Sequence, residues 1–184
     1  MKKIQSLYKR DYEGTRQVYD EVVEGSEWVF TDKMALPTVK YDGTSCMVKG
    51  DKIYKRYDVK KGRSVPEGAI PCEEKANKHT GHWPHWVECD RDNKSDMWHF
   101  DAFDIYKSLK NGTYELCGPK VNGNKHLLGG HILIEHGANV INRTFKSFDQ
   151  IKLFLMDNEI EGIVWHSLDG EMVKIKRKDF GFKW

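Results

Sequence analysis

The sequence lacks a long apolar run, a strong net charge and an N-terminal signal segment. No stretch approaches the length needed to span a bilayer, and Met1 is followed by Lys2 and Lys3 rather than by apolar residues. We therefore expect a soluble, cytoplasmic protein. The formal net charge of +2 over 184 residues excludes a polycation that coats nucleic acid through its overall charge. A phosphate-binding surface has to come from local clusters of lysine and arginine.

Closely spaced cysteines are also absent. The four cysteines, Cys46, Cys72, Cys89 and Cys117, are far apart, and no two of them form a Cys-x-x-Cys pair. This spacing disfavours a zinc site or a disulfide framework. It predicts reduced thiols that are mostly buried.

The apolar patterning predicts one α+β domain over residues 1–184 that is dominated by antiparallel strands. Strands are expected at 45–49, 52–57, 98–106, 113–117, 131–135, 162–166 and 171–176. Helices are expected at 15–25 and at 148–156, the second behind a capping-box pattern formed by Ser147 and Gln150. Residues 62–85 are predicted to form a long loop, because glycine and proline interrupt them repeatedly.

The segment Lys40-Tyr41-Asp42-Gly43-Thr44 places a lysine after an apolar stretch and before a tight turn. A lysine amine is a nucleophile only in its uncharged form, which burial and neighbouring cations both favour. Taken alone, this pentapeptide is more typical of a hairpin turn with a solvated lysine.

Two lysines share one face of the last predicted strand. Lys174 and Lys176 alternate with Val173 and Ile175, so the lysines lie opposite the apolar face. Two ammonium groups on one face suit a polyphosphate, and they would favour the uncharged form of Lys40. The alternative is an edge strand that its lysines protect from aggregation.

Two carboxylates and an arginine complete the candidates. Glu161 opens an apolar strand, and a carboxylate beside phosphates is suited to binding Mg²⁺. Glu115 lies in a strand just before the turn at Gly118. The planar guanidinium of Arg56 can hold a phosphate through two hydrogen bonds. Considered alone, Arg56 is more typical of a surface arginine, Glu161 is also compatible with a solvated strand end, and Glu115 is uninformative.

One loop contains three histidines and two tryptophans. A glycine and a proline separate His79, His82 and His85, and they interrupt any helix that would align the three imidazoles. We therefore predict a binding loop rather than a metal site. Trp83 and Trp86 either stack on a nucleic-acid base or anchor the loop to the core.

The order of these motifs resembles the covalent nucleotidyltransferase superfamily, which contains ATP- and NAD-dependent ligases and mRNA capping enzymes. The ordered set is Lys40-x-Asp42-Gly43, Arg56, Glu115-Leu-x-Gly118, Glu161-Gly-Ile-Val164 and Lys174-x-Lys176. Residues 161–170, the Gly81-His-Trp-Pro84 loop and His136-Gly-Ala138 are similar to the 5′-to-3′ RNA ligase family known from animals. The resemblance implies an antiparallel-sheet, ATP-grasp-like adenylyltransferase domain.

The resemblance also implies an ATP-dependent RNA ligase that joins 5′-phosphate and 3′-hydroxyl ends. Lys40 would attack the α-phosphate of ATP and carry the adenylate before its transfer to the RNA 5′ end. Lys174 and Lys176 would neutralise the α-phosphate, and Glu161 would help to hold Mg²⁺ or Mn²⁺.

The remaining implied roles concern nucleotide binding. Arg56 would contact a phosphate, Glu115 would bind the ribose, and Val39 would line the nucleotide pocket. Ile134 either stacks on adenine or packs in the core.

Two other functions stay open at this point. Only Arg177 to Trp184 follow the last motif, so we expect no C-terminal oligonucleotide-binding domain of the kind found in DNA ligases. The short length is compatible with a non-catalytic RNA-end-binding module. A minimal DNA ligase would use the same chemistry on a different strand.

Overall fold

The structure is a computed structural model that describes residues 1–78 and 80–184, so His79 lies outside the described residues. The described chain divides into two compact units. Unit 1 comprises Met1–Lys3 and Asp42–His136, and unit 2 comprises Ile4–Tyr41 and Gly137–Trp184. The single domain expected over residues 1–184 stays a prediction. None of the helices described is long and apolar enough to cross a membrane.

Twelve strands and three α-helices make up the described secondary structure. The strands are β1 (Gln5–Ser6), β2 (Tyr8–Arg10), β3 (Val18–Val22), β4 (Leu36–Lys40), β5 (Thr44–Lys49), β6 (Lys52–Val59), β7 (Ile70–Pro71), β8 (Trp83–Glu88), β9 (Gly112–Cys117), β10 (Ile132–Glu135), β11 (Gly162–His166) and β12 (Met172–Lys176). The α-helices are α1 (Trp28–Thr31), α2 (Met97–Phe103) and α3 (Phe148–Asp157). Short 3-10 helices occur at Lys94–Asp96 and Arg177–Phe180.

Unit 1 contains a six-stranded antiparallel sheet in the order β10-β9-β5-β6-β8-β7. Alternate residues along β5 and β9 are buried, because one face of the sheet packs into a core that also contains Ala102 of α2. The buried members of this core are Cys46, Val48, Ile53, Cys89, Ala102, Tyr114, Leu116, Val121 and Leu133.

Unit 2 contains a four-stranded sheet in the order β1-β12-β11-β4 and a two-stranded sheet of β2 and β3. Strand β1 runs parallel to β12, while β11 runs antiparallel to both β12 and β4. The largest buried side chain of unit 2 is Trp165, in a core that includes Ile151 and Leu155 of α3. This arrangement places β11 between the two strands that carry the candidate lysines.

The structure confirms an α+β fold with mostly antiparallel sheets. The strands predicted at 45–49 and 52–57 form a hairpin, and so do those predicted at 162–166 and 171–176, with register pairs Lys49–Lys52 and His166–Met172. Helix α3 begins after Ser147, whose hydroxyl accepts a hydrogen bond from the Gln150 amide at 3.3 Å. All four cysteines are free, and all except Cys72 are buried, as expected.

The helix predicted at 15–25 is wrong, because Val18–Val22 form strand β3. Val18 and Val22 are spaced for one helix face, but this spacing also suits one face of a strand. Tyr8 pairs with Val22, and Arg10 pairs with Val18. The partner strand and the β preference of valine therefore decide the structure.

The strand predicted at 98–106 is also wrong, because Met97–Phe103 form helix α2. The aromatic residues suggested a strand. In the structure His99 and Ala102 are the buried residues of this segment, and they are three residues apart on one helical face.

The loop predicted at 62–85 contains more structure than expected. Ile70–Pro71 form the short strand β7, and β8 already begins at Trp83. Both strands pair antiparallel, with Ile70 opposite Trp86. Proline is tolerated at β7 because this strand lies at the edge of the sheet.

Gly162 lies at the closest approach of β11 and β12. A Cβ atom added to it would lie 2.1 Å from the Ile175 carbonyl oxygen and 2.9 Å from the Lys176 Cα atom. Both atoms belong to the backbone, so neither moves easily. Glycine at this position therefore allows the two strands to pair where Glu161 begins the hairpin.

We predict that Gly162→Ala lowers the free energy of unfolding by about 1–3 kcal/mol, because the added methyl overpacks the strand pair. Chemical denaturation would measure the change. Gly129→Ala is the matched control, since a Cβ at Gly129 meets no atom within 4 Å. An equal effect of the two substitutions would contradict the predicted clash.

Candidate active site

Three neighbouring strands of unit 2 bring the candidate catalytic residues together. Lys40 at the end of β4 pairs with Gly162 of β11, and Gly162 pairs with Lys176 of β12. Two residues further along β11, Val164 pairs with Lys174. The sheet register therefore brings together lysines that lie more than a hundred positions apart in the sequence.

A buried carboxylate joins two of these lysines. The side chain of Glu161 is only 5% exposed, and its Oε2 accepts a hydrogen bond from Lys40 Nζ. Its Oε1 accepts a hydrogen bond from Lys176 Nζ at 2.7 Å. Lys40 Nζ also donates to the Tyr41 carbonyl oxygen at 3.2 Å. The predicted nucleophile, the predicted metal ligand and one predicted phosphate ligand thus form one cluster.

Lys174 is a third cation beside this cluster. Burial, together with the positive charges of Lys176 and Lys40, lowers the pKa of Lys174 to about 8. Glu161 and Asp179 act in the opposite direction. The lysine ammonium groups of the cluster therefore outnumber the carboxylates that can neutralise them.

Asp179 supports the end of β12 and was not predicted as a site residue from the sequence. Asp179 is 4% exposed, and its Oδ2 accepts a hydrogen bond from the Lys176 backbone N–H at 2.8 Å. Its Oδ1 accepts a hydrogen bond from Arg10. These contacts hold the backbone of Lys176 in place. The contact with Lys176 is a local capping contact of the following 3-10 helix, whereas the partner Arg10 lies far away in the sequence on β2.

Unit 1 positions Glu115 through two hydrogen bonds. Glu115 Oε1 accepts from the Gly43 amide at 3.2 Å, and Oε2 lies 2.8 Å from His136 Nε2. A carboxylate can only accept, so His136 Nε2 is the donor. The other ring nitrogen, Nδ1, lies 3.0 Å from Thr113 Oγ1, whose hydroxyl can donate to it. His136 was noted in the sequence only as part of a resemblance, and its link to Glu115 was not foreseen.

The Asp42-Gly43 turn is packed against the same strand of unit 1. A Cβ at Gly43 would lie 2.3 Å from the Leu116 carbonyl oxygen, so only glycine fits. Asn122 Nδ2 donates to Asp42 Oδ1 at 2.9 Å and to the Gly43 carbonyl oxygen at 2.7 Å. Asn122 therefore fixes the turn that follows Lys40 in the sequence.

Three other predicted site residues lie on strands. Arg56 on β6 is half-buried and pairs with Asp58 at 3.4 Å. Val39 on β4 is half-buried, packs against the core of unit 2 and pairs with Ile163. Ile134 on β10 is half-buried and lies opposite Glu115 in the sheet register. Their predicted contacts with a nucleotide stay predictions.

The histidine loop does not assemble a metal site within the part of the chain that is described. His79 lies outside that part, His82 is exposed, and His85 is buried with its Nδ1 2.9 Å from the Trp83 carbonyl oxygen. Trp86 is 4% exposed, which supports the core-anchoring alternative for this residue. Trp83 is half-buried, and its Nε1 donates to a backbone carbonyl oxygen at 2.7 Å.

A different group of ligand-type side chains was not foreseen. Cys89, Asp96 and His99 are buried in unit 1, and their ligand atoms all lie within 4.8 Å of one another. Lys55 Nζ donates to the two carboxylate oxygens of Asp96 at 2.6 and 2.7 Å. A cation thus already faces this carboxylate, and burial raises the pKa of Cys89 to about 12. We explain the group as the surroundings of a buried ion pair.

The lowered pKa of Lys174 yields a stability prediction. Below about pH 8 the ammonium is charged in both the folded and the unfolded chain, so the folded state bears the cost of burying it. Stability rises as the pH increases from about 8 towards the unfolded value near 10.4, because the unfolded chain then binds more protons. We predict that Lys174→Met raises the free energy of unfolding at pH 7 by about 1–3 kcal/mol.

Urea denaturation at pH 7 and pH 10 would test this prediction. The gain should shrink at the higher pH, because the folded state then no longer buries a charge. Lys152→Met on the exposed face of α3 is the control, and it should change stability little at either pH. If Lys174→Met were less stable than the unaltered chain at pH 7, other interactions would compensate the cost of burying the ammonium, and the prediction would be wrong.

Comparisons with known proteins agree with the predicted resemblance. A model of the RNA ligase 1 family matches residues 105–184. Proteins named RNA ligase 1 from Pongo abelii and Rattus norvegicus are 28% and 27% identical to this chain, and each match covers 82% of the chain and 68% of the relative. The RNA ligase 1 of Danio rerio is 32% identical over 56% of this chain and 42% of that protein. The chain is therefore similar to the animal RNA ligase 1 family, as its motifs predicted.

Proposed function

We propose that this chain is an ATP-dependent RNA ligase that is adenylylated on Lys40. The observation that carries the proposal is the cluster of Lys40, Glu161 and Lys176 on three adjacent strands, with Lys174 beside it. Relatives that are named RNA ligase 1 support an RNA substrate. A chance surface cluster would not bury Glu161 to 4% exposure with a lysine at each oxygen.

In the proposed first step, the uncharged amine of Lys40 attacks the α-phosphorus of ATP. A P–N bond forms, the bond between the α-phosphorus and the bridging oxygen breaks, and pyrophosphate leaves with the electron pair. After the P–N bond has formed, the positively charged nitrogen loses one proton to solvent. Lys174 and Lys176 would offset the negative charge of the α-phosphate, and phosphoryl transfer depends mainly on such positioning and charge stabilisation.

The next two steps join the RNA ends. An oxygen of the RNA 5′-phosphate attacks the phosphorus of lysyl-AMP, and the P–N bond breaks as Lys40 leaves and takes up a proton. The RNA 3′-hydroxyl then attacks the 5′-phosphate, loses its proton to solvent and displaces AMP. The product is a 3′,5′-phosphodiester.

Glu161 suits the role of a Mg²⁺ ligand by its chemistry. Mg²⁺ prefers oxygen, and proteins commonly hold it with one or two carboxylates together with substrate phosphates. In this structure both oxygens of Glu161 accept hydrogen bonds from lysine ammonium groups. To hold the cation, Glu161 would exchange a lysine contact for it. When bound, the cation supplies additional neutralisation of phosphate charge.

Glu115 is our proposed ribose ligand, with His136 as its positioning residue. The His136 hydrogen bond fixes one carboxylate oxygen of Glu115, and the Gly43 amide fixes the other. A carboxylate held in this way loses little rotamer freedom when it accepts a hydroxyl donor. Arg56 stays our proposed phosphate ligand.

The first test is adenylylation. The protein would be incubated with Mg²⁺ and α-labelled ATP, and the label would be followed on a denaturing gel and located by mass spectrometry. We expect label on Lys40 and none in Lys40→Arg, because a guanidinium can still pair with Glu161 but does not deprotonate. Lys33→Ala, which alters an exposed lysine, is the control and should be labelled normally.

Absence of label from the unaltered chain, or label that persists in Lys40→Arg, would overturn the proposal. Sealing assays on nicked substrates would then compare an RNA 3′-hydroxyl strand with a DNA one. Preference for the RNA strand supports the RNA ligase, and preference for DNA favours the minimal DNA ligase. Adenylylation without any sealed product favours the end-binding module.

The second test concerns His136. We predict that His136→Ala raises the KM for ATP in lysyl-AMP formation about tenfold, the order expected when a carboxylate loses a charge-assisted hydrogen bond. His136→Gln, which retains an N–H donor, should recover much of the loss. A KM that stays unchanged in a folded Ala variant would remove His136 from the positioning role.

A further inference from the structure

A cleft in unit 1 is unused by the proposed chemistry. One wall follows the end of β6 at Val59, where the chain turns and the Arg63 amide donates to the Lys60 carbonyl oxygen at 3.0 Å. The opposite wall is the turn before β8, where the Gly81 amide donates to the Asn77 carbonyl oxygen at 2.8 Å. The volume between the walls is about 400 Å³.

The lining of this cleft is strongly basic. Lys60, Lys61, Arg63 and Lys78 all line it, and no described lining residue is acidic. Within residues 1–78 and 80–184, none of these four cations belongs to an ion pair. A formal net charge of only +2 for the whole chain makes this local concentration unusual.

Two cations elsewhere on the surface of unit 1 lie in ion pairs. Lys52 pairs with Glu88 at 2.9 Å, and Arg91 pairs with Asp104 at 2.8 Å, although all four side chains are about half exposed or more. The basic cleft differs because nearby carboxylates do not compensate its charge. Such a surface attracts anions and releases bound counterions when they dock.

The walls of the cleft are ordered by backbone contacts. A Cβ at Gly81 would lie 3.0 Å from the Lys61 Cβ, so the backbone of one wall packs on the aliphatic stem of the other. The Asn77 amide donates to the His82 carbonyl oxygen at 2.9 Å, and the Trp83 indole is anchored by its own hydrogen bond. The two walls of the cleft therefore contact each other.

We infer that this basic cleft binds the sugar-phosphate backbone of the RNA substrate, an inference that rests on the proposed ligase function. Several phosphates along a strand match several cations along a cleft, and the half-buried Trp83 adds an apolar surface beside them. The contacts are to phosphate, so they contribute affinity without sequence preference. This site would hold the strand, while the Lys40 cluster carries out the chemistry.

The test reverses charge at two exposed cleft residues, in the variant Lys60→Glu/Lys61→Glu. Its affinity for a 5′-phosphorylated RNA oligonucleotide would be measured by fluorescence anisotropy over a series of salt concentrations. We expect binding about tenfold weaker or more, and a log–log salt slope smaller by about two, because two phosphate contacts are lost. Lysyl-AMP formation from ATP should keep its rate.

Two further variants sharpen the result. Lys107→Glu/Lys110→Glu makes the same change in net charge at exposed positions outside the cleft, and it should weaken binding much less. Lys60→Gln/Lys61→Gln removes charge without adding any and should give an intermediate loss. The inference would be overturned if the cleft variant and the Lys107/Lys110 control showed the same RNA affinity and the same salt slope.

The outcomes for the cleft and for the ligase proposal are separable. Normal lysyl-AMP formation with unchanged RNA binding in the cleft variants would reject the cleft and leave the ligase proposal standing. Loss of RNA binding in the cleft variants of a chain that never forms lysyl-AMP would support the cleft and reject the ligase proposal.

Discussion

The buried carboxylate of Glu161 is the interaction on which the candidate site depends. An ionised carboxylate at 4% exposure is costly unless charged or hydrogen-bonding partners compensate it. Lys40 and Lys176 provide that compensation from the two strands that flank β11. Shifting either strand out of register would remove one of the two lysine partners of this carboxylate. The chemistry of the cluster and the order of the sheet are therefore linked.

The same cluster is electrostatically unbalanced. Three lysines surround Glu161, and the cost appears at Lys174, whose pKa falls to about 8 because it is buried near two other cations. An anionic ligand would relieve this imbalance, and the phosphates of the proposed ATP substrate carry charge of the required sign. Active sites are often arranged in this way, since a preorganised positive environment stabilises developing negative charge without reorganising when the reaction occurs.

Local sequence patterns predicted the elements whose period was unambiguous. Alternation of apolar residues identified the hairpin of β5 and β6 and placed Lys174 and Lys176 on one face of β12. The pattern failed at Val18–Val22, where a spacing of four residues suits a helix and a strand equally. The pairing with β2 decides between the two, and the residues of the segment alone do not predict that partner strand.

The failure at Met97–Phe103 has a different physical cause. Aromatic residues favour strands on average, because they pack well on a pleated surface. Here the segment packs through one helical stripe, and helix α2 contacts the core of the six-stranded sheet through Ala102. Tertiary packing therefore overrode local preference. The same limit applies to the site, where His136 contacts Glu115 and Asp179 contacts Arg10, each from a different part of the sequence.

The residues of the short Lys40-x-Asp42-Gly43 motif belong to two units, and each is required for a reason within its own unit. The chain passes from unit 2 to unit 1 between Tyr41 and Asp42. Lys40 is required by the ion pair with Glu161, whereas Gly43 is required by the backbone oxygen of Leu116, which leaves no room for a side chain. Neither demand can be inferred from the pentapeptide alone. This explains why the motif has little predictive value in isolation. It becomes informative only when Glu115, Glu161 and the lysines of β12 follow it in the same sequence.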